Sequence, residues 1–511
     1  MEKRNGFNSG LGFILAAAGS SVGLGNLWSF PYKTSQNGGA SFVIIYVISV
    51  IILGALLCIG EIYIGRRAYA NPVSAYKKIN KGLGFVGLMG VFASFLIICY
   101  YIILGGYTVK YTVNSFADNT DILESYSSSI WQVILFTAIF LALGAIIISL
   151  GVKKGIEKAS KILMPILVIT LIGIVIYALC LGKGVGDGLN YYLNPDFKAL
   201  GFKGVLAAMS QAFFSLSVGA GILAAYGSYM GKDVKIGRSV LWIAFFDTFV
   251  ALLAGLAIFP AIYHYEAETG IKLQNNGIVL LFESMPIVFN KLGFAGKFVS
   301  FFFFGMVSIA ALTSVISLLE GVCQFVIQFF KIKRRNAVII VSLIALTISI
   351  PISISLGYAL NGKSFLNIGN KNLLDVFDSI VNSIFIPIGA LFICISIGWF
   401  MFKTNDKKEL FSSRYLSDKL KDDGLNLGKF NKVFAFMIKY IIPSLIIFIE
   451  VFGIIDVVWP KINDSRMFSL DGFIVILIAN LLLIGIIIVY FVFIKNKETG
   501  SNDDELENTL E

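Results

Sequence analysis

The chain has 511 residues, of which 57% are hydrophobic and 14% charged. Soluble domains are about 45–50% apolar and about 25% charged, so this composition excludes water as the solvent for most of the chain and points to the bilayer. A formal charge of +10 would fit a nucleic-acid partner if it formed one patch, but it is spread over short connections, which excludes that class.

Apolar runs of about 20 residues, enough to cross the hydrocarbon core, recur through the sequence. The first five are expected at about 11–35, 41–64, 85–114, 131–150 and 162–182. Five more fall at about 203–229, 238–263, 296–330, 337–357 and 375–402, and the last two at about 433–456 and 470–494. A membrane barrel needs strands of about ten strictly alternating residues, and these runs are too long and continuous for that. The expected fold is therefore an all-α polytopic membrane protein of about twelve helices. Residues 1–496 read as one transmembrane domain, and 497–511, an acidic polar stretch, as a tail.

Basic residues gather in every second connection: Lys3 and Arg4, then Arg66, Arg67, Lys77, Lys78 and Lys81, then Lys153, Lys154, Lys158 and Lys161. Lys232, Lys235 and Arg238, then Lys331, Lys333, Arg334 and Arg335, continue the pattern, whereas Asp118, Asp121 and Glu124 mark an intervening loop. This positive-inside bias predicts a multi-pass protein of the cell membrane with both termini in the cytoplasm and basic loops against lipid headgroups. The five cysteines, Cys58, Cys99, Cys180, Cys323 and Cys394, lie in apolar runs and read as packing residues. The first apolar run carries no signal-peptide cleavage pattern. The single histidine, His264, is expected in a loop, and with no metal-spaced cluster, phosphate loop or nucleophile triad the chain reads as a non-enzyme.

Within the first run, Gly19 to Tyr32 reads GSSVGLGNLWSFPY, a poor continuous helix. Its core, Ser21-Val22-Gly23-Leu24-Gly25, returns in the sixth run as Ser217-Val218-Gly219-Ala220-Gly221. Close helix packing accounts for small residues, but not for one pentapeptide recurring at mid-membrane five helices later. The odd spacing sends the second copy through the membrane the opposite way, the arrangement of an inverted repeat. Helices 1 and 6 are therefore expected to be broken, with unpaired N–H groups suited to a carboxylate and free carbonyls suited to a small hard cation. Asp247 is an intramembrane acid and by default functional. Thr313 and Ser314 bring two hydroxyls to one level; Thr313 is equally well read as bonding back to its own helix. Tyr101, beside Tyr100, fits either packing or a site.

The stretches GSSVGLGNLWSFPY, QNGGASF, GEIYIGR, GVKKGIEKASKILMP, YYLNPDF, QAFFSLSVGAG with YGSY, DTFVALLAGLAIFP and AALTS together resemble the neurotransmitter:sodium symporter family, in its bacterial amino-acid branch. The resemblance implies a 5+5 inverted repeat with helices 11 and 12 peripheral, and two sodium ions. One ion would meet the Ser21 carbonyl, Asn26, Ser215 and Asp247. The other would meet the carbonyls of Gly19, Val22 and Ala310 and the hydroxyls of Thr313 and Ser314. The amino-acid carboxylate would face the N–H groups of Leu24 and Gly25 and the Tyr101 hydroxyl, with Ser21 and Ser314 nearby. Its ammonium would face carbonyls near Phe214, Ser215 and Ser217. Ile97, Val218, Ala220 and Leu318 would line the side-chain end, and Phe214 with Tyr101 would cover the pocket.

The resemblance also has departures. Chloride-dependent relatives have a neutral residue at Asp247 and a serine at Ala251, so the fixed carboxylate implies no chloride requirement. Ala220 stands where some relatives have a bulky aromatic, which implies a large hydrophobic or aromatic amino acid. Ser29 replaces an arginine that commonly pairs with an acid matching Asp378, so the outer gate must close by hydrogen bonding, water or another cation. Arg4 is present at the inner gate, with Gln328 where its acidic partner usually stands. These residues imply a sodium-coupled symporter working by alternating access; the alternative is a non-transporting amino-acid sensor in the membrane.

Overall fold

The computed structural model describes residues 6–117, 122–231, 233–273, 277–402, 404, 406–458, 461–462, 465–466 and 469–495. Arg4 lies outside the described residues. The first run is split into α1 (Gly10–Ser21) and α2 (Gly25–Gln36), bent by 48°. Then come α3 (Ala40–Ala68), α4 (Gly84–Asn114), α5 (Ile130–Ser149) and α6 (Val152–Leu179). The sixth run is also split, into α7 (Phe197–Ser215) and α8 (Ile222–Ser228). It is followed by α9 (Ile236–Thr269), α10 (Gly293–Phe330), α11 (Arg334–Leu360), α12 (Leu373–Phe400), α13 (Phe430–Ile455) and α14 (Leu470–Ile494). Among the described residues ten helices are long and apolar enough to span a membrane, the bent first pair makes an eleventh, and α7 with α8 occupies the sixth of the twelve expected runs.

Three local expectations change. Helix α9 runs on to Thr269, so His264 sits on its last turns, with Nδ1 2.9 Å from the Lys183 carbonyl, and not in a loop. Cys180 is exposed, whereas the other four cysteines are buried as expected. The connection between α13 and α14 carries a two-residue antiparallel pair, β1 (Lys461–Ile462) and β2 (Ser465–Arg466), too short to alter the helical class.

Burial separates the helices into a centre and a rim. The most apolar window of α4 is 83% buried and that of α10 72%, and these two helices pack extensively on each other. The corresponding windows of α13 and α14 are only 28% and 22% buried although α14 is the more hydrophobic. An apolar surface left open on that scale belongs against lipid. The centre therefore forms around α1, α4, α7, α9 and α10, with α13 and α14 outside it.

At the face carrying the amino terminus, α3 ends in Arg66 and Arg67. Arg67 Nε lies 2.7 Å from Asp423 Oδ2, and Arg66 donates to the carbonyls of Val234 (2.9 Å) and Gly424 (3.1 Å). The long connection between α12 and α13 is thereby fastened to the end of α3. On the same face Gln328 accepts from the Asn71 N–H (3.1 Å) and side-chain amide (2.5 Å). It thus holds Asn71, the N-cap of the helix Pro72–Ile79, in place.

Helix α8 packs on α3 at Gly65, where a β-carbon would overlap the Ala224 carbonyl. Backbone cannot move aside as a side chain can, so Gly65→Ala should force the two helices apart at a cost of about 1–3 kcal/mol. The expected readout is a lower thermal midpoint of the detergent-solubilised protein; an unchanged midpoint contradicts this packing.

Candidate functional site at the paired helix breaks

The two breaks are built differently. In the first, α1 closes at Ser21, Val22 is extended (φ −72°, ψ 98°) and helix resumes at Gly25 with a widened turn. In the second, α7 closes at Ser215 and α8 begins only at Ile222. There Ser217 (φ 54°), Gly219 (φ 85°) and Gly221 (φ 77°) all lie in the left-handed region, which costs glycine little and serine more. The repeated pentapeptide thus marks the same restart of helix in both copies, while the second break starts earlier.

Each unpaired group finds a specific partner. The Leu24 N–H donates to Tyr101 Oη (2.9 Å), and the Gly23 N–H to Asn26 Oδ1 (3.1 Å). A β-carbon on Gly23 would overlap Ser314 Oγ and sit 2.8 Å from Tyr101 Oη, so the close approach of three elements requires glycine here. The Ser20 carbonyl receives both the Ser217 hydroxyl (3.2 Å) and the Ser314 hydroxyl (3.3 Å), while its own hydroxyl donates to Ser317 Oγ (2.7 Å). Glu61, buried on α3, accepts the Gly219 N–H (2.8 Å) just ahead of the restart of α8. A carboxylate in that place complements the positive end of the helix dipole.

The first expected ion ligand set converges. Asn26 Nδ2 donates to Asp247 Oδ1 (2.7 Å), the Asp247 carbonyl (3.0 Å) and Ser215 Oγ (3.2 Å). Ser215 Oγ reaches both Asp247 oxygens (2.9 and 2.8 Å), and Tyr46 Oη reaches Oδ2 (3.2 Å) and Ser215 Oγ (3.0 Å). Asp247 is fully buried. Ser21 Oγ bonds back to Ala17 (3.3 Å), so its contribution is the carbonyl of a terminal helical turn, which lacks an intrahelical partner. In the second set, Gly19 packs 3.3 Å from the Thr313 side chain (measured from an ideal β-carbon), and Ser314 Oγ lies 3.5 Å from the Val22 carbonyl. Thr313 Oγ1 bonds back to its own helix at Ile309 (3.2 Å) and Ala310 (3.0 Å), so both readings of that hydroxyl meet at the Ala310 carbonyl.

Oxygen donors dominate both clusters, and among the described residues no group of three or more His, Cys, Asp or Glu assembles. That donor set fits a hard cation such as sodium and not a thiolate- or imidazole-seeking metal. At the first cluster a cation would neutralise the buried Asp247 carboxylate, which is otherwise costly in a low-dielectric site.

Between the breaks lies a cavity, lined at its polar end by Ser20, Ser21, Gly23, Gly25, Ser215, Ser217, Tyr101 and Ser314. Its apolar end is made by Ile97, Phe214, Ala220, Ile222, Leu318 and Ile386. Ile222 and Ile386 join the residues anticipated from sequence. Val218 does not line the cavity: flanked by left-handed Ser217 and Gly219, it is turned into the packed interior and is fully buried. The Phe214 ring stands over Gly25, about 3.0 Å from where a β-carbon would be.

Above Phe214, Ser29 Oγ donates to Gln211 Oε1 (3.1 Å), and so does Lys33 Nζ (2.8 Å). Asp378 accepts the Tyr100 hydroxyl (2.9 Å) and the Asn382 amide (2.8 Å), whereas Asp375 is tied to Asn372, which caps the helix by accepting the Asp375 N–H (3.0 Å) and donates its amide to Asp375 Oδ2 (2.7 Å). Residue typing alone had singled out none of Tyr46, Glu61, Lys33 and Gln211. For Glu61 a signal existed, since it is an acid within an apolar run.

The Sodium:neurotransmitter symporter family pattern matches residues 4–124 and 119–498. A sodium-dependent transporter of Haemophilus influenzae is 32% identical over 473 residues, covering 88% of this chain and 98% of that protein. The sodium-dependent transporter YhdH of Bacillus subtilis is 33% identical over 467 residues, with the same coverages. Among solved structures, that of MhsT in complex with L-phenylalanine aligns with a TM-score of 0.77 and 34% identity, covering 88% of this chain and all of MhsT. Twelve apolar runs, two matched helix breaks and these relatives lead to one conclusion: the chain belongs to the sodium:neurotransmitter symporter family, a family of sodium-dependent membrane transporters.

Proposed function

We propose that this protein imports a hydrophobic or aromatic amino acid together with sodium by alternating access, with both termini cytoplasmic and no chloride requirement. The observation that carries the reading is the bipolar cavity between the two breaks. Its polar end offers backbone N–H groups and hydroxyls to a zwitterion's charged atoms, and its apolar end offers only side-chain carbon. At the deep end Ala220 contributes a single methyl, and its carbonyl is held by the Ser94 hydroxyl (2.8 Å), so the space beside it is kept open. MhsT, a relative of similar fold, binds L-phenylalanine, which supports an aromatic substrate here.

Two sodium ions would act as ties. The first bridges the α1–α2 break to α7 and α9, and the second bridges it to α10. Each ion replaces hydrogen bonds that the oxygens now make among themselves, so ion binding and the arrangement of both breaks are coupled. Asp247 supplies a permanent negative charge beside the first ion, and Ala251, fully buried one turn along, offers no hydroxyl to an anion. That pair of residues supports chloride-independent transport.

Uptake into proteoliposomes under an inward sodium gradient should be at least about tenfold faster for phenylalanine, tryptophan or leucine than for glycine, since a few buried methylenes are worth that much. Preference for glycine or alanine refutes the substrate assignment, and no gradient-driven uptake of any amino acid favours the sensor. Replacing chloride by gluconate should leave uptake unchanged. Asp247→Asn removes a charged acceptor worth about 1.5–3 kcal/mol, so half-maximal sodium should rise by about ten- to a hundredfold; an unchanged sodium dependence rules out the first cluster. Ala220→Phe should abolish tryptophan uptake while leaving alanine uptake measurable, and equal loss of both would place the side-chain end elsewhere.

A further inference from the structure

Ser29 and Lys33 lie one helical turn apart on α2 and so share a face. Both reach Gln211 Oε1. Gln211 is fully buried on α7, and its amide nitrogen is spent on the Gly25 carbonyl (3.2 Å), which fixes which end faces the two α2 side chains. Serine is too short to extend beyond Gln211. Lysine is not: Nζ stands 6.0 Å from the centroid of the Phe214 ring, above the aromatic that covers the cavity.

On the opposite wall, Asp378 of α12 is set in place by two donors from different helices, Tyr100 of α4 and Asn382 of its own. Both fall on Oδ1; among the described residues no hydrogen bond falls on Oδ2. Lys33 is within electrostatic range of this carboxylate, although its hydrogen bond goes to Gln211. Both side chains are half-buried. The wall therefore presents a positioned acceptor with a free oxygen, and α2 presents a cation resting on a neutral amide.

We propose that Lys33 is the cation of the outer gate, displaced one turn from the position held by arginine elsewhere in the family, and that it adds Asp378 Oδ2 to its contact with Gln211 when the pocket closes. An ammonium group has three donors and no fixed plane, so it can add the carboxylate without surrendering Gln211. The movement draws α2 and α7 toward α12 and seats a charge over Phe214. The charge-assisted contact exists only in the closed arrangement, so it biases the gate and not the affinity of the open pocket. Lys33 is on this account a positioning residue. This inference rests on the transport reading above.

The test uses the full chain, labelled L-phenylalanine, sodium-dependent binding in detergent and uptake in proteoliposomes. Lys33→Gln and Asp378→Asn should each slow uptake by at least about tenfold while the dissociation constant stays within about threefold, the split expected of a conformational step. Ser29→Arg placed on Lys33→Gln returns a cation to the same face and should recover at least about a third of the wild-type rate. Wild-type uptake by Lys33→Gln overturns the proposal. So does Ser29→Arg with Lys33→Gln if it binds phenylalanine but stays as slow as Lys33→Gln alone. A selective loss of binding would instead make Lys33 a substrate contact and also overturns it. Should Lys33→Gln fail to reach the membrane, Asp378→Asn, which keeps both its neutral donors, decides: unimpaired uptake there sinks the gate. If the unmodified protein takes up no amino acid, the transport reading fails, and that result is separate from any difference between variants.

Discussion

The structure depends on one constraint: backbone polar groups released by a helix break have no water to turn to at the middle of a bilayer. Two such breaks face each other here, and a set of polar side chains from the neighbouring helices answers them. Tyr101 takes the Leu24 N–H, Asn26 the Gly23 N–H and Glu61 the Gly219 N–H, while Ser217 and Ser314 share the Ser20 carbonyl. Remove that demand and an acid at position 61 or an asparagine at position 26 has no reason to sit in an apolar helix. The residues proposed to bind ligand and those that satisfy the broken backbone overlap at Tyr101, Asn26, Ser217 and Ser314.

This shared use explains why the interior is tightly specified while the rim is not. Helices α13 and α14 need only be hydrophobic and long, and their side chains stay largely open to lipid. Helices α4 and α10 have to bring hydroxyls to within hydrogen-bond reach of a backbone that is not regular, and they are buried accordingly. Packing at glycine enforces the spacing: Gly23 admits Ser314 and Tyr101 together, and Gly65 admits the Ala224 carbonyl. A methyl at either place is a change of architecture and not of surface.

Much of this was legible in the residues themselves. The twelve runs follow from length and hydropathy, and the breaks from glycine and serine clustering at mid-run, because both are local properties. Asp247 stood out for the same reason. What was not legible depends on where the chain turns. Val218 reads as a pocket residue by its place in the repeat, and only the left-handed geometry of its neighbours turns it away. His264 reads as a loop residue because polarity rises there, yet α9 continues beneath it. Lys33 reads as an ordinary helix-end lysine; its relation to Ser29 and Gln211 appears once the helical turn and the facing helix are both in view.

The unequal length of the two breaks has a further consequence. The first is short and held by neighbouring side chains, with Tyr101, Asn26, Ser217 and Ser314 each bonded to its backbone. The second spends extra residues in left-handed turns, anchored at its ends by Ser215 and Glu61 but lined between them by the small side chain of Ala220. Change at residue 220 alters the shape of the chamber without touching the oxygens gathered around Asp247. On the transport proposed above, the energy source and the choice of cargo would then be separate along a single stretch of chain. Single substitutions at residue 220 would on that proposal change the cargo while the driving gradient stays the same.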